Sequence, residues 1–313
     1  MEGYVYGIVA VIAWTACTVP FAEASKRLGV ATVNLYRLLI PFVLFTIVLS
    51  LFLFPNQNWI SDVGSIYWVY LIASGVIGLA IGDMFGFSVY SLIGPRLGSL
   101  FIVLQPAIAL IAGYFLLHET INWIGIISII ITITGVAYVL LSKNTTSDKV
   151  TYTPVALKKG IIFGILSTVC QAMGIVLQKL ASQQAAIAHL PEIHFLTATW
   201  IRITGAIVFL LILYTFQKKH KEVHTNLWIN ADKGVSFLIV AIVFGPLIAQ
   251  PTSFLATSIL PVSVFQTLCA LIPILVLPIT AIYYKEKITW KIILGSLISC
   301  FGVVILIWRD TLL

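Results

Sequence analysis

Charge is what this chain has least of. Only 9% of its 313 residues are Asp, Glu, Lys or Arg, against about a quarter in soluble globular domains. That deficit excludes an ordinary water-soluble fold. Long polar connections are also missing: the two longest are 143–156 and 217–233, and neither could hold a domain. Function must therefore reside among apolar segments. There are four cysteines, Cys17, Cys170, Cys269 and Cys300, with no CxxC pair and no Cys/His cluster at metal-ligand spacing, so they read as small apolar core residues. His118, His189, His194, His220 and His224 fall in no HExxH arrangement. GxSxG and GxxxxGK[ST] are also absent, which argues against zinc hydrolysis, serine hydrolysis and ATP-driven chemistry. Nothing implies a cofactor. No basic region precedes the first apolar stretch, which is long enough to span a bilayer, so no cleavable leader is expected. The net charge of +7 is scattered over short loops rather than gathered on one face, which excludes nucleic acid as a partner.

What the chain does have is 60% hydrophobic residues. At about 20 apolar residues per crossing, punctuation by turns and charges gives ten spans: 3–22, 30–54, 67–92, 96–117, 121–142, 157–181, 193–216, 234–258, 262–284 and 288–308. The expected fold is an all-α polytopic membrane protein. Fourteen Lys and Arg gather at the odd-numbered loops, against only Lys179 and Arg309 at the other side; Arg37 and Arg202 lie inside spans. The positive-inside rule then puts the odd loops in the cytoplasm and both termini outside. The expected location is the plasma (inner) membrane.

The sequence also repeats itself. PAIALIAGYFLLHETINW from Pro106 matches PILVLPITAIYYKEKITW from Pro273, and one offset of 167 joins Pro106 to Pro273, Glu119 to Glu286, Trp123 to Trp290 and Gly135 to Gly302. The same offset pairs Gly78 with Gly245 and Asp83 with Gln250. An offset of 157 pairs Gly3 with Gly160, Gly7 with Gly164 and Trp14 with Gln171, and one of 165 pairs Arg37 with Arg202. The expected organisation is a first five-helix repeat at 1–142, a connecting loop at 143–156 and a second five-helix repeat at 157–313. Five is odd, so the second copy must sit upside down relative to the first. Inverted repeats are a recurring transporter plan, with the substrate site near the midplane between the halves.

The segment GLAIGDMFGFSVYSLIGPRLGSLFIVLQPAIALIAGYFLLHE (Gly78 to Glu119) and the recurrent proline-to-glutamate spacing resemble the ten-span EamA-type members of the drug/metabolite transporter superfamily. The resemblance implies export or exchange of small metabolites, amino acids or drugs through a central cavity lined mainly by spans 1, 3, 4, 6, 8 and 9. It also implies cytoplasmic termini for many members, where the charge distribution here argues the reverse.

Asp83 is the strongest single clue, 16 residues into its span and 9 from its end. A carboxylate that deep faces a cavity or a partner. Apolar surroundings disfavour its charged form, which makes it a candidate proton carrier. The competing reading is a packing role, by hydrogen bond or by pairing with an arginine. Trp14, Gln105, Gln171, Gln250 and Gln266 add polar groups at similar depth; they are expected to face inward as substrate contacts or interhelical glue. Pro106 and Pro273 are expected to bend their helices. Gly78, Gly82 and Gly86 leave a bare face for close helix packing. Arg37 and Arg202, seven and nine residues into their spans, are expected to snorkel to the interface, with contact to an anionic substrate as the alternative. Glu119 and Glu286 read as structural groups at helix ends.

These residues point to a secondary transporter working by alternating access, driven by protons or by exchange. The expected cargo is an amino acid, an amine or a neutral organic solute. A lipid flippase or passive channel could be built from the same residues. An intramembrane aspartyl protease would need a second deep carboxylate, and the sequence offers none. One chain supplies both halves, so a monomer suffices without barring a dimer. The expected partners are a small-molecule substrate and the lipid bilayer.

Overall fold

A computed structural model describes residues 1–55, 59–60, 63–141, 153–219, 223, 231–284 and 290–308. Most of the connecting loop 143–156, most of the lysine-rich loop 217–233, and Glu286 lie outside these residues. The helices, in chain order, are α1 (Glu2–Leu28), α2 (Val30–Leu53), α3 (Ser65–Gly94), α4 (Phe101–Leu117), α5 (Trp123–Leu141), α6 (Pro154–Ile187), α7 (Phe195–Phe216), α8 (Gly234–Ile259), α9 (Val262–Tyr283) and α10 (Trp290–Trp308). No strand occurs among the described residues. Seven of these helices (α1, α2, α3, α6, α7, α8 and α9) are long and apolar enough to cross a membrane; α4, α5 and α10 carry shorter apolar stretches.

Helix ends follow local chemistry. Gly29 and Gly94 take positive φ values of 83° and 75° at the turns that end α1 and α3, a region open to glycine without a steric penalty. Pro154 stands in the first turn of α6, and Thr153 Oγ1 accepts a bond from the backbone N–H of Ala156. α1 runs six residues beyond the expected boundary, to Leu28, and over that stretch Glu23 pairs with Lys26 and Arg27 on one helical face. α6 runs six residues beyond its expected end at 181. Lys179, counted with the loop charges, lies within this helix and pairs with Glu119 at 2.8 Å.

The outer surface is apolar. Ile12, Phe52, Val69, Ile111, Phe115, Ile130, Val208 and Phe301 are all exposed, as expected of side chains solvated by lipid rather than water. Cys300 joins them there, contrary to its reading as a core residue; Cys17 and Cys269 are buried and Cys170 half-buried.

The repeat seen in the sequence reappears in the packing. Gly3 and Gly7 of α1 lie against Leu260 and Leu268, and their counterparts Gly160 and Gly164 of α6 lie against Ile93 and Phe101. Leu260 and Leu268 stand at the offset of 167 from Ile93 and Phe101. At the periphery, Gly135 of α5 faces Ser299 of α10, while Gly302 of α10 faces Thr132 of α5. Each contact becomes the other when the two repeats are exchanged, the signature of surfaces related by a two-fold operation.

Candidate functional site

One large cavity lies between the two repeats. Trp14, Arg37, Asp83, Gln105, Gln171, Arg202, Gln250 and Gln266 all line it, so the polar residues singled out in the sequence share one space. It holds about 1140 Å³ with its open mouth included, enough for a small organic molecule. Phe21, Phe87, Tyr90, Phe101 and Phe265 supply an aromatic wall.

The backbone of α3 sets up its most polar corner. Residues Gly75–Gly82 form a widened π-helical turn that ends at Asp83. Such turns free carbonyls from the regular hydrogen-bond ladder. Three of them are used: Arg37 Nη2 donates to Leu79 O at 2.6 Å, Asn34 Nδ2 to Ala80 O at 3.0 Å, and Ser167 Oγ to Gly82 O at 2.8 Å. The second repeat has its own widened turn, Val243–Ala249, immediately before Gln250. The glycines of α3 permit this closeness. Gly78 lies against Gly174 of α6, and Gly82 and Gly86 pack on Cys170, Gln171 and Ser167.

Arg37 does not snorkel. It is 1% exposed, and its guanidinium meets Asp83 Oδ2 at 2.6 Å. Nε and Nη2 also donate to Asn34 Oδ1, at 3.2 and 2.9 Å. The Phe87 ring lies 5.0 Å from the guanidinium carbon. Arg202, 3% exposed, does not snorkel either. Its Nη1 donates to Gln178 Oε1 and, at 3.2 Å, to Gln250 Oε1. Gln250 is the counterpart of Asp83, so the two arginines make equivalent contacts in the two repeats, one with a carboxylate and one with an amide. Counting residues from the helix ends misplaced both arginines, because neighbouring helices cover them on every side.

From Asp83 the network runs onward. Gln171 Nε2 donates to Asp83 Oδ1 and to Ser167 Oγ, both at 3.1 Å, and Gln105 Nε2 donates to Gln171 Oε1 at 2.8 Å. Trp14 Nε1, at the position equivalent to Gln171, donates to Ser253 Oγ at 3.2 Å. Gln266 is 1% exposed and its Nε2 has no partner among the described residues. Sequence reasoning missed Asn34, Ser167, Gln178 and Ser253. Asn34 and Ser167 could have been found, since they stand three and four residues from Arg37 and Gln171 on the same helical faces. Pro106 and Pro273 are buried near the cavity without lining it. Pro106 starts an α-helical stretch after the tight turn Leu100–Leu104, and α9 is interrupted at Ala270–Leu271 just before Pro273.

A polar clasp lies outside the cavity lining. Glu119 Oε2 accepts from the backbone N–H of Val262 at 2.9 Å, while Lys179 bridges Glu119 and the carbonyl of Leu260. These contacts join α4, α6 and the α8–α9 turn. No group of three or more His, Cys, Asp or Glu side chains converges among the described residues in a way that could hold a metal ion.

An all-helical molecule of two repeats with an apolar outer surface is an integral membrane protein. The model of the EamA-like transporter family matches the chain twice, over residues 1–141 and 158–308, and the chain belongs to that family. No curated protein matches it significantly. A protein of known crystal structure shares the fold, with 13% identity, a TM-score of 0.64, and coverage of 97% of this chain and 95% of its own.

Proposed function

We propose that this protein is a secondary transporter that moves a small organic solute by alternating access around the inter-repeat cavity, as an exporter or exchanger. The observation that carries the proposal is the cavity itself, whose polar lining comes from both repeats and is enclosed by a lipid-facing shell. In this reading all ten helices cross the membrane, the five-helix halves at 1–142 and 157–313 are inverted, and both termini are outside the plasma membrane. The exchange-related contacts of α5 with α10, and of Gly3 and Gly160 with their neighbours, support inversion. The Glu119–Lys179 pair would then close the extracellular end, and the breaks beside Pro106 and Pro273 would let α4 and α9 bend as the halves rock. Trp14, Gln105, Gln171, Gln250 and Gln266 act as substrate contacts.

Asp83 is the proposed coupling residue. Its ion pair with Arg37 must open for it to take up a proton, so protonation and movement of α2 against α3 are linked. A cationic amine fits least among the expected solutes, because two arginines and one aspartate line the cavity.

Purified protein in liposomes loaded with a metabolite mixture tests this, with release read by mass spectrometry with and without a pH gradient. Selective, gradient-dependent release by wild type, with the gradient dependence lost in Asp83→Asn, is the expected result. Selective release that is the same in the mutant would leave a transporter and remove Asp83 from coupling. No release from folded protein would overturn the proposal in favour of a lipid flippase or a non-transport role.

A further inference from the structure

Resting on that reading, we infer that the solute carries a single carboxylate, which docks on Arg202. Three charged side chains line the cavity: Arg37, Asp83 and Arg202. Arg37 and Asp83 cancel each other in an ion pair. Arg202 has no carboxylate within ion-pairing distance among the described residues. Its Nη1 partners are two neutral amide oxygens, and its Nε has no partner. A guanidinium cannot relieve its burial by shedding a proton, and the one carboxylate near enough to act on it, Asp83, is paired with Arg37, so Arg202 remains only partly compensated until an anion arrives.

A second, independent group points the same way. Gln266, on α9 of the same repeat, is buried and lines the same cavity, and its Nε2 donor has no partner among the described residues. Together the two residues offer donors without acceptors, the demand a carboxylate satisfies. The net charge of the lining is one positive, which a monoanion balances. A phosphate dianion would leave a buried negative excess beside Asp83. The aromatic wall of Phe21, Phe87, Tyr90 and Phe101 suits an apolar or aromatic body on the same molecule.

The test uses the full-length protein in detergent and a panel of aliphatic, aromatic and α-amino monocarboxylates, each beside its carboxamide and its decarboxylated amine. Binding is followed by calorimetry and by ligand-induced thermal shift for wild type, Arg202→Gln and Arg202→Lys. At least one carboxylate should bind wild type while its amide and amine do not. Arg202→Gln should weaken that binding roughly 10- to 100-fold, and Arg202→Lys should weaken it less. Arg202→Gln should also raise the melting temperature of the ligand-free protein, because it removes an unpaired buried charge; an arginine kept only for packing would lower it. Amides or amines binding as well as carboxylates would overturn the inference, as would no carboxylate binding or undiminished binding to Arg202→Gln. Binding needs no translocation, so carboxylate binding without flux in liposomes would sink the transporter reading and leave the Arg202 site standing. Selective flux of uncharged or cationic solutes alone would do the opposite.

Discussion

Asp83→Asn isolates the energetics of the cavity's one internal ion pair. The change keeps the shape of the side chain and an oxygen for Gln171, but leaves Arg37 charged at 1% exposure. Removing one partner of a buried pair costs about 3–5 kcal/mol. Here Asp83 keeps 16% exposure to the cavity, and Arg37 retains Asn34 Oδ1 and the Leu79 carbonyl. The low end, about 3 kcal/mol, is therefore expected. At roughly 2–4 °C per kcal/mol for a chain of this size class, the melting temperature should fall by about 6–12 °C. Arg37→Gln should cost less, because an abandoned carboxylate can take a proton whereas an abandoned guanidinium cannot shed one. Its deficit should also shrink in acid, where Asp83 is neutralised, while that of Asp83→Asn should not. In the double variant a neutral hydrogen-bonded pair replaces the ionic one, and most of the loss should be recovered. Thermal unfolding in detergent is readable with a thiol-reactive fluorophore in a background where the exposed Cys300 and half-buried Cys170 are replaced by serine, since Cys17 and Cys269 are buried in the fold. Single-variant losses that simply add in the double variant would refute the reasoning, because the two charges would then share no energy.

Other perturbations follow from the packing and the helix ends. Gly75→Ala should give little folded protein by fluorescence-detected chromatography, because a Cβ there overlaps the backbone carbonyl of Arg202; Gly64→Ala should be far milder, meeting only the Leu190 side chain. Glu119→Gln removes the partner of Lys179 and should loosen the α4–α6–α9 end; a cysteine placed at Leu260 should then react several-fold faster with a membrane-impermeant maleimide in this variant than in its parent. His194→Ala should cost about 1 kcal/mol, because Nδ1 caps the backbone N–H of Leu196. Burial holds the His194 proton affinity below the usual histidine value of 6.5. The unfolded chain therefore takes up the proton first, and stability falls as pH drops below about 6.5; His194→Asn should remove that share of acid sensitivity in a melting-temperature series.

The helices were legible because apolar runs bounded by glycine, proline and charge leave little choice in a bilayer, and their ends moved by only a few residues. The inward-facing polar residues were legible for the same reason: Gln105, Gln171, Gln250 and Gln266 have nowhere else to go at that depth. Pairings were not legible. Arg37 and Asp83 meet beside the widened turn before Asp83, where Arg37 also takes the Leu79 carbonyl, and such a turn leaves no mark on hydropathy. The arginines show how this misleads. Their distance from a helix start suggested the interface, yet burial depends on which neighbours cover that end, and here α1, α3 and α6 do. The offset arithmetic held more than was first taken from it: Arg37 with Asp83 and Arg202 with Gln250 are the same pair of positions written twice.

That double writing separates scaffold from chemistry. The features found in both repeats are those that shape backbone: the glycine contacts of α1 and α6, the widened turns before Asp83 and Gln250, the proline positions and the buried arginines. Several of the features found in one repeat only are residues lining the cavity. Asp83 stands opposite Gln250, Gln171 opposite Trp14, and Gly86 opposite Ser253. A two-fold scaffold whose site were also two-fold would present equal charge to either half. Here a single carboxylate satisfies one arginine and leaves the other to an incoming group. The polarity of the site thus arises from the Asp83/Gln250 difference, on a frame whose backbone features recur in both repeats. Gln250 Oε1 already lies 3.2 Å from Arg202, so a glutamate at that position would complete a second internal ion pair and close the cavity's account of charge without any solute.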